Sequence, residues 1–251
     1  EGRDIEETAL YDAGADDTVL RFLRMCRPDD QIRVVEMKNT PTQIKGVFMT
    51  GEHAQDDVVD SAKFAMKLGS KIWFTCEGVE KAAAVAHDLG KNPGKRVLLL
   101  NADNKIDDEQ KAFLADPDGQ SRLYDAVVAS PIISSGISIE HHGAPHFDAG
   151  FALFSGGAIR PADAAQMLRR VRYLNDWTIG LTSLNRFGGS RAEDIIEGRI
   201  AAADLEGVRV DAGDFDQLVV GFEAEAHNLR GDFAAGLWWL LQDAGWTLSR
   251  H

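Results

Sequence analysis

Between residues 71 and 183 short apolar runs alternate with helical stretches, and this narrows the folds open to the chain more than any other feature. KIWFT at 71–75 has the character of a strand, and EGVEKAAAVAHDLG at 77–90 that of an alanine-rich helix ending on a glycine. RVLLL at 96–100 is nearly continuous apolar sequence, the pattern of a strand buried on both faces. A helix over 106–115, strands at 124–129 (YDAVVA) and 147–154 (FDAGFALF), and TIGLTS at 178–183 continue the series. Pro161 suits the first turn of a helix running from there through Arg172. Strands alternating with helices at this spacing predict an α/β fold, a parallel sheet with helices on both faces.

The flanks are less regular. Residues 9–14 (ALYDAG) have the pattern of a strand end and turn, and Asp16, Asp17 and Thr18 can cap a short helix over Val19–Met25. Residues 31–37 and 44–50 are expected as strands, and 53–68 as a helix with Val58, Val59, Ala62, Ala65, Met66 and Leu68 near one stripe. After residue 185 the pattern predicts a helix over 191–203 and one or two more within 214–245. Leu237, Trp238, Leu240, Leu241 and Trp246 there suit packing on the sheet better than lining a ligand pocket. The expected division is 1–70 as linker and entry elements, 71–185 as the main domain, and 186–251 as a helical extension. The sequence shows no internal repeat and no low-complexity segment.

With 44% hydrophobic and 27% charged residues, the chain has the composition of a globular domain. No apolar run approaches the roughly 18–20 residues that span a bilayer, and no signal-like start is present. Cys26 and Cys76 form no Cys-x-x-Cys spacing, so two free thiols in a reducing cytoplasm are expected, without a membrane partner. Because the first residue is Glu1 rather than Met, the chain is expected to be cut from something longer.

A formal net charge of −13 argues against coating nucleic acid over the whole surface. The charge is uneven. Residues 1–60 hold seven Lys/Arg against fourteen Asp/Glu, whereas 160–191 hold six Arg against Asp163 and Asp176. An anionic ligand has one evident place to go.

Two segments carry chemistry. Ser130 to Ile139 (SPIISSGISI) follows the strand YDAVVA, where loops at carboxyl strand ends line the ligand crevice of an open parallel sheet. Small hydroxyl residues and a glycine there can approach a phosphate closely, although Ser/Gly loops are common. Gln166 to Arg172 (QMLRRVR) offers forked cationic donors, with Gln166 and Arg170 sharing a helix face by their spacing of four. Alone, this is better explained as a solvated basic face near a helix C-terminus. His141, His142 and His146 invite a metal site, but no carboxylate or cysteine stands at a ligand spacing, so a polar loop is expected and no metal.

Taken in order, KIWFTCEGVEKAAAVAHDL, ASPIISSGISI and AAQMLRRVR resemble motifs IV, V and VI of the C-terminal, second RecA-like domain of superfamily 2 helicases. More narrowly, SPIISSGISIE, HFDAGFALFSG and QMLRRVR resemble the origin-binding helicases of plasmid and phage replication proteins and their herpesvirus relatives. The likeness covers about residues 71–173. It implies that Arg170 or Arg172 acts as an arginine finger on the ATP γ-phosphate held by the other RecA-like domain, with Gln166 leading the motif. Gly136, Ser138 and Arg169 fall on the nucleotide side, and Thr75, Ser130, Ser134 and Ser135 toward single-stranded DNA. Arg169 stands where many superfamily 2 proteins have glycine, and the interval to the second arginine is one residue shorter, so both finger candidates stay open.

No Gly-x-x-x-x-Gly-Lys-Ser/Thr occurs and no strand ends in paired acids, so ATP and Mg²⁺ are expected only in a longer protein. ALYDAG resembles the last strand of the first domain, which becomes an expected partner on the same polypeptide along with replication proteins. Two other classes compete: a self-contained nucleotide- or phosphate-binding α/β enzyme, and a non-catalytic interaction module. On the helicase reading, the arginines and the hydroxyl loop should emerge together on one rim.

Overall fold

A computed structural model describes residues 17–35, 42–131, 137–182, 192–205 and 213–251. Seven strands form one sheet: β1 (Lys45–Thr50), β2 (Ile72–Cys76), β3 (Val97–Leu100), β4 (Ala126–Ala129), β5 (Ala149–Phe154), β6 (Asp176–Leu181) and β7 (Thr247–Arg250). Their order is β3-β4-β2-β5-β6-β1-β7, and every pairing is parallel. The central strands β2 and β4 are buried at every position, which is why IWFTC and AVVA carry no charge. Alternate residues face two separate cores. Trp73, Val127 and Ala152 point to one, Phe74, Val128 and Phe151 to the other.

Helices α2 (Ala54–Lys67) and α3 (Val79–Gly90) cover the second core through Val58, Ala62, Met66, Val85 and Leu89. The first is covered by α4 (Asp108–Ala115), α6 (Pro161–Leu168) and α9 (Phe233–Asp243), together with Ile139 and Phe147. A five-residue helix, α5 (Pro117–Ser121), is held by Asp116, whose side chain accepts the Gly119 N–H. No described helix is long and apolar enough to cross a membrane.

The contacts divide the chain into two units. One takes residues 39–190 and 226–251, the sheet and its helices. The other takes residues up to 38 and 191–225, with α1 (Asp17–Cys26), α7 (Ala192–Leu205) and the first part of α8 (Asp214–Gly231). Inside it, Arg199 donates to both carboxylate oxygens of Glu223 at 2.6 and 2.7 Å.

Several expectations are corrected. The 45–67 segment, anticipated as an entry piece, supplies β1 and α2 to the sheet itself, with β1 lying between β6 and β7. β3 is an edge strand with only Leu98 and Leu100 buried, because its outer side has no strand beyond it. Residues 31–35 form no strand, and Val34 and Val35 are 62% and 72% exposed; β-branched residues without a pairing neighbour do not make a sheet. The helix from Pro161 stops at Leu168 rather than reaching Arg172. Neither α5 nor β7 was expected. ALYDAG lies outside the described residues.

The amino ends of three strands are tied at Asp125. Its carboxylate takes Lys71 Nζ, Lys95 Nζ at 3.4 Å and the Arg96 backbone N–H at 2.8 Å. Burial pushes this carboxyl up, but the hydrogen bonds from Lys71 and Arg96 outweigh it and bring it to about 2. A depressed carboxyl stabilises the fold above the ordinary carboxylate range near pH 4 and loses that contribution as pH falls toward 2. Asp125→Ala is expected to cost about 2–3 kcal/mol at neutral pH. Urea unfolding near pH 7 and pH 3 should show a smaller difference at the acid end.

Candidate functional site

The two segments singled out in the sequence meet in the structure. After β4 the chain returns over the first core, and Ile139 pairs with Val171 as an isolated parallel bridge. The Ile139 N–H donates to the Arg170 carbonyl at 2.8 Å, and the Arg172 N–H donates to the Ile139 carbonyl at 2.9 Å. Both bridge side chains are buried in the core that holds Leu168 and Phe147. This is why α6 ends where it does. Val171 pairs with Ile139 just past a turn at Arg169 and a bend at Arg170, and the Arg170 carbonyl serves the bridge instead of a helix.

Side chains reinforce the join. Arg172 Nε donates to Ser138 Oγ at 3.0 Å, and an Arg170 terminal nitrogen donates to the Ile137 carbonyl at 3.2 Å. Arg169 and Arg172 are exposed, Arg170 is half-buried, and Gln166 is exposed on α6. Burial, and then the nearby charge of Arg172, lowers the Arg170 pKa, although a guanidinium stays charged at neutral pH. Gln166 and Arg170 do not share a helix face, since Arg170 lies beyond the helix end.

Thr75 and Ser130 are each 1% exposed, so neither presents its hydroxyl to a passing strand. Both end strands buried from two sides, and a hydroxyl there is enclosed by its neighbours. The Ser130 hydroxyl has no hydrogen-bond partner among the described residues. Ser134, Ser135 and Gly136 lie outside the described residues.

Other residues at the carboxyl ends of the strands escaped sequence reasoning. Buried Glu77, just past β2, accepts the backbone N–H groups of Ser155 at 2.8 Å and Gly156 at 2.9 Å, and the Ser155 hydroxyl as well. It fixes the turn from β5 into α6. No spacing rule links residues 78 positions apart. Lys81 donates to Gln55, which donates to Thr182, joining α3, α2 and the end of β6. The His141 and His146 rings meet edge-on, with centroids 5.7 Å apart; His146 Nε2 lies 2.8 Å from the Tyr124 carbonyl, His141 is buried, and exposed His142 meets Glu140 at 2.8 Å. No group of three or more His, Cys, Asp or Glu able to hold a metal occurs among the described residues.

No protein-family model matches the sequence, and no curated protein matches it. Solved structures do. S. cerevisiae Dbp5 bound to RNA and ADP BeF3 is 17% identical, with a TM-score of 0.50 over 85% of this chain and 54% of that one. The fold is RecA-like. Weaker likenesses include the yeast DEAD-box splicing factor Prp28 (13% identity, TM-score 0.43, 73% of this chain and 39% of that one). T. fusca Cas3 is 14% identical with a TM-score of 0.42, over 87% of this chain and 27% of that one. The chain spans about half the length of the Dbp5 structures it matches, 52% and 54%.

Arg169 and Arg172 are exposed guanidiniums, a group suited to anionic oxygens, while the Ser138 hydroxyl accepts from Arg172 and donates to Glu140 at 3.4 Å.

Proposed function

We propose that this chain is the second motor lobe of a nucleic-acid helicase, of the kind used in plasmid or phage DNA replication. The observation that carries this is the Ile139–Val171 bridge, which sets the hydroxyl-bearing and arginine-bearing segments side by side with Arg172 on Ser138. Arg172 and Arg169 are the exposed cations that would meet the phosphates of ATP seated on another RecA-like lobe, and ATP would supply the anhydride whose cleavage drives movement. Here the chain's own task is to place positive charge and exclude wrong orientations. Arg170 is spent partly on the Ile137 carbonyl and is the poorer candidate for the finger. A single strand would be held through its backbone, largely without regard to sequence. First-domain and replication-protein partners belong to the same proposal.

The test is fluorescence anisotropy with labelled (dT)20 and a mixed-sequence 20-mer. Both should bind at low salt with similar affinity, and binding should weaken as salt rises. A malachite-green assay with ATP, Mg²⁺ and the oligonucleotide should show no turnover by this chain alone. Absence of oligonucleotide binding at low salt refutes the strand-holding role; DNA-stimulated phosphate release refutes the half-motor role.

A further inference from the structure

Beneath the arginine-bearing bridge lies a hydrogen-bond chain whose direction can be deduced atom by atom. The Tyr173 hydroxyl oxygen accepts two backbone N–H groups, from His146 at 3.1 Å and Phe147 at 2.9 Å. With both lone pairs taken, its own hydrogen points to His141 Nδ1, 2.6 Å away. Nδ1 is therefore an acceptor, and the ring proton sits on Nε2. Nε2 lies 2.7 Å from Ser121 Oγ and 3.1 Å from the Asp118 carbonyl. The Ser121 hydroxyl donates onward to that same carbonyl at 3.2 Å. Two backbone donors fix one end and a backbone acceptor fixes the other, so the whole chain has a single polarity and a neutral imidazole at its centre.

Its location gives it a task. Tyr173 stands two residues past Val171 and His141 two past Ile139, so the hydrogen bond between them closes the same pair of segments that the bridge joins. His141 is only 2% exposed and holds a left-handed backbone, φ 42°, uncommon outside glycine, Asn, Asp and His. A backbone held this way points to tight constraint by its surroundings.

We infer that His141 is a positioning residue: as a neutral ring it latches the Arg170–Arg172 segment to the Ile137–Ile139 segment, and a second proton opens the latch. A proton on Nδ1 would face the Tyr173 hydrogen, and the phenol cannot turn around without losing two backbone N–H groups. The groups facing the ring are Asp118 and Arg122 at α5, His146 of its own loop, and Tyr173. Burial first, then the charge of Arg122, lowers the His141 pKa from 6.5, against an opposing pull from Asp118. A depressed histidine stabilises the fold fully above 6.5 and loses that contribution as pH falls through its folded value. The effect on nucleic-acid binding rests on the function proposed above; the latch does not.

Amide hydrogen exchange followed by NMR tests it. Between pH 7.5 and about pH 5, protection of the Ile139 and Arg172 amides, corrected for intrinsic rates, should drop about tenfold, while Phe74 in β2 stays constant. His141→Asn keeps an acceptor, tolerates the left-handed backbone and cannot take up a proton, so the drop should vanish. Should that variant fail to fold, Tyr173→Phe gives the second readout: low protection already at pH 7.5 and no further change on acidification. Equal protection at both pH values in the parent chain, or an undiminished drop in either variant, overturns the latch. A (dT)20 titration at the same two pH values separates the proposals. If exchange behaves as expected but the oligonucleotide never binds, the motor reading fails and the latch stands.

Discussion

Arg172→Ala is expected to weaken binding of a single-stranded oligonucleotide by about tenfold, the magnitude of one lost charged hydrogen bond. The plot of log affinity against log salt should flatten by about 0.7, one phosphate contact's worth on a single strand. Arg170→Ala should behave differently. Its guanidinium is half-buried and bonds to the Ile137 carbonyl, so the loss should fall on stability, about 1–2 kcal/mol in urea unfolding. The two arginines differ in task because Arg170 is half-buried against the Ile137 carbonyl, whereas Arg172 is exposed, with Nε on the Ser138 hydroxyl. Unchanged affinity and salt slope in a folded Arg172→Ala protein would remove Arg172 from the interface.

A larger effect on stability is expected from Gly156→Val. This glycine follows the turn pinned by Glu77, adopts φ +77°, and a Cβ built on it would lie 2.5 Å from Phe233 Cβ. Left-handed backbone costs a β-branched residue about 1–2 kcal/mol, and overpacking adds about 1–3. A total of about 2–5 kcal/mol would remove much of a typical domain's stability. Thermal unfolding should show a large drop in midpoint, and part of that drop should be restored when Gly156→Val is instead compared with Gly156 in a Phe233→Gly background, which lacks the Cβ and ring that the valine meets. No restoration would mean that the backbone conformation alone sets the cost.

The sheet was legible in the sequence because β2, β4, β5 and β6 are apolar runs bounded by turns, and burial dictates such runs directly. β7 was not, since TLSR is short, mostly exposed and stands as a strand only through its pairing with β1. The end of α6 was misjudged for a related reason. Met167, Leu168 and Val171 satisfy a helical stripe, yet Val171 is buried by a bridge to a residue 32 positions earlier. The site was half legible. Order and composition identified the two segments that meet; Thr75 and Ser130 misled because a hydroxyl at a strand end can be enclosed as easily as exposed. Ser121, His141 and Tyr173 form their network across three separate elements, and no local pattern announces it.

The position of β1 has a consequence for synthesis. Residues 45–50 are made before either of their neighbours, residues 176–181 and 247–250. At about 5–20 residues per second, β1 waits about 6–25 s for its first neighbour and several seconds more for its second. Until the first neighbour emerges both its edges are unpaired, and non-local parallel pairing is slow to form even once the partners exist. A ribosome stalled before residue 247 would therefore leave a nascent chain with one adhesive flank, vulnerable to self-association and dependent on chaperones.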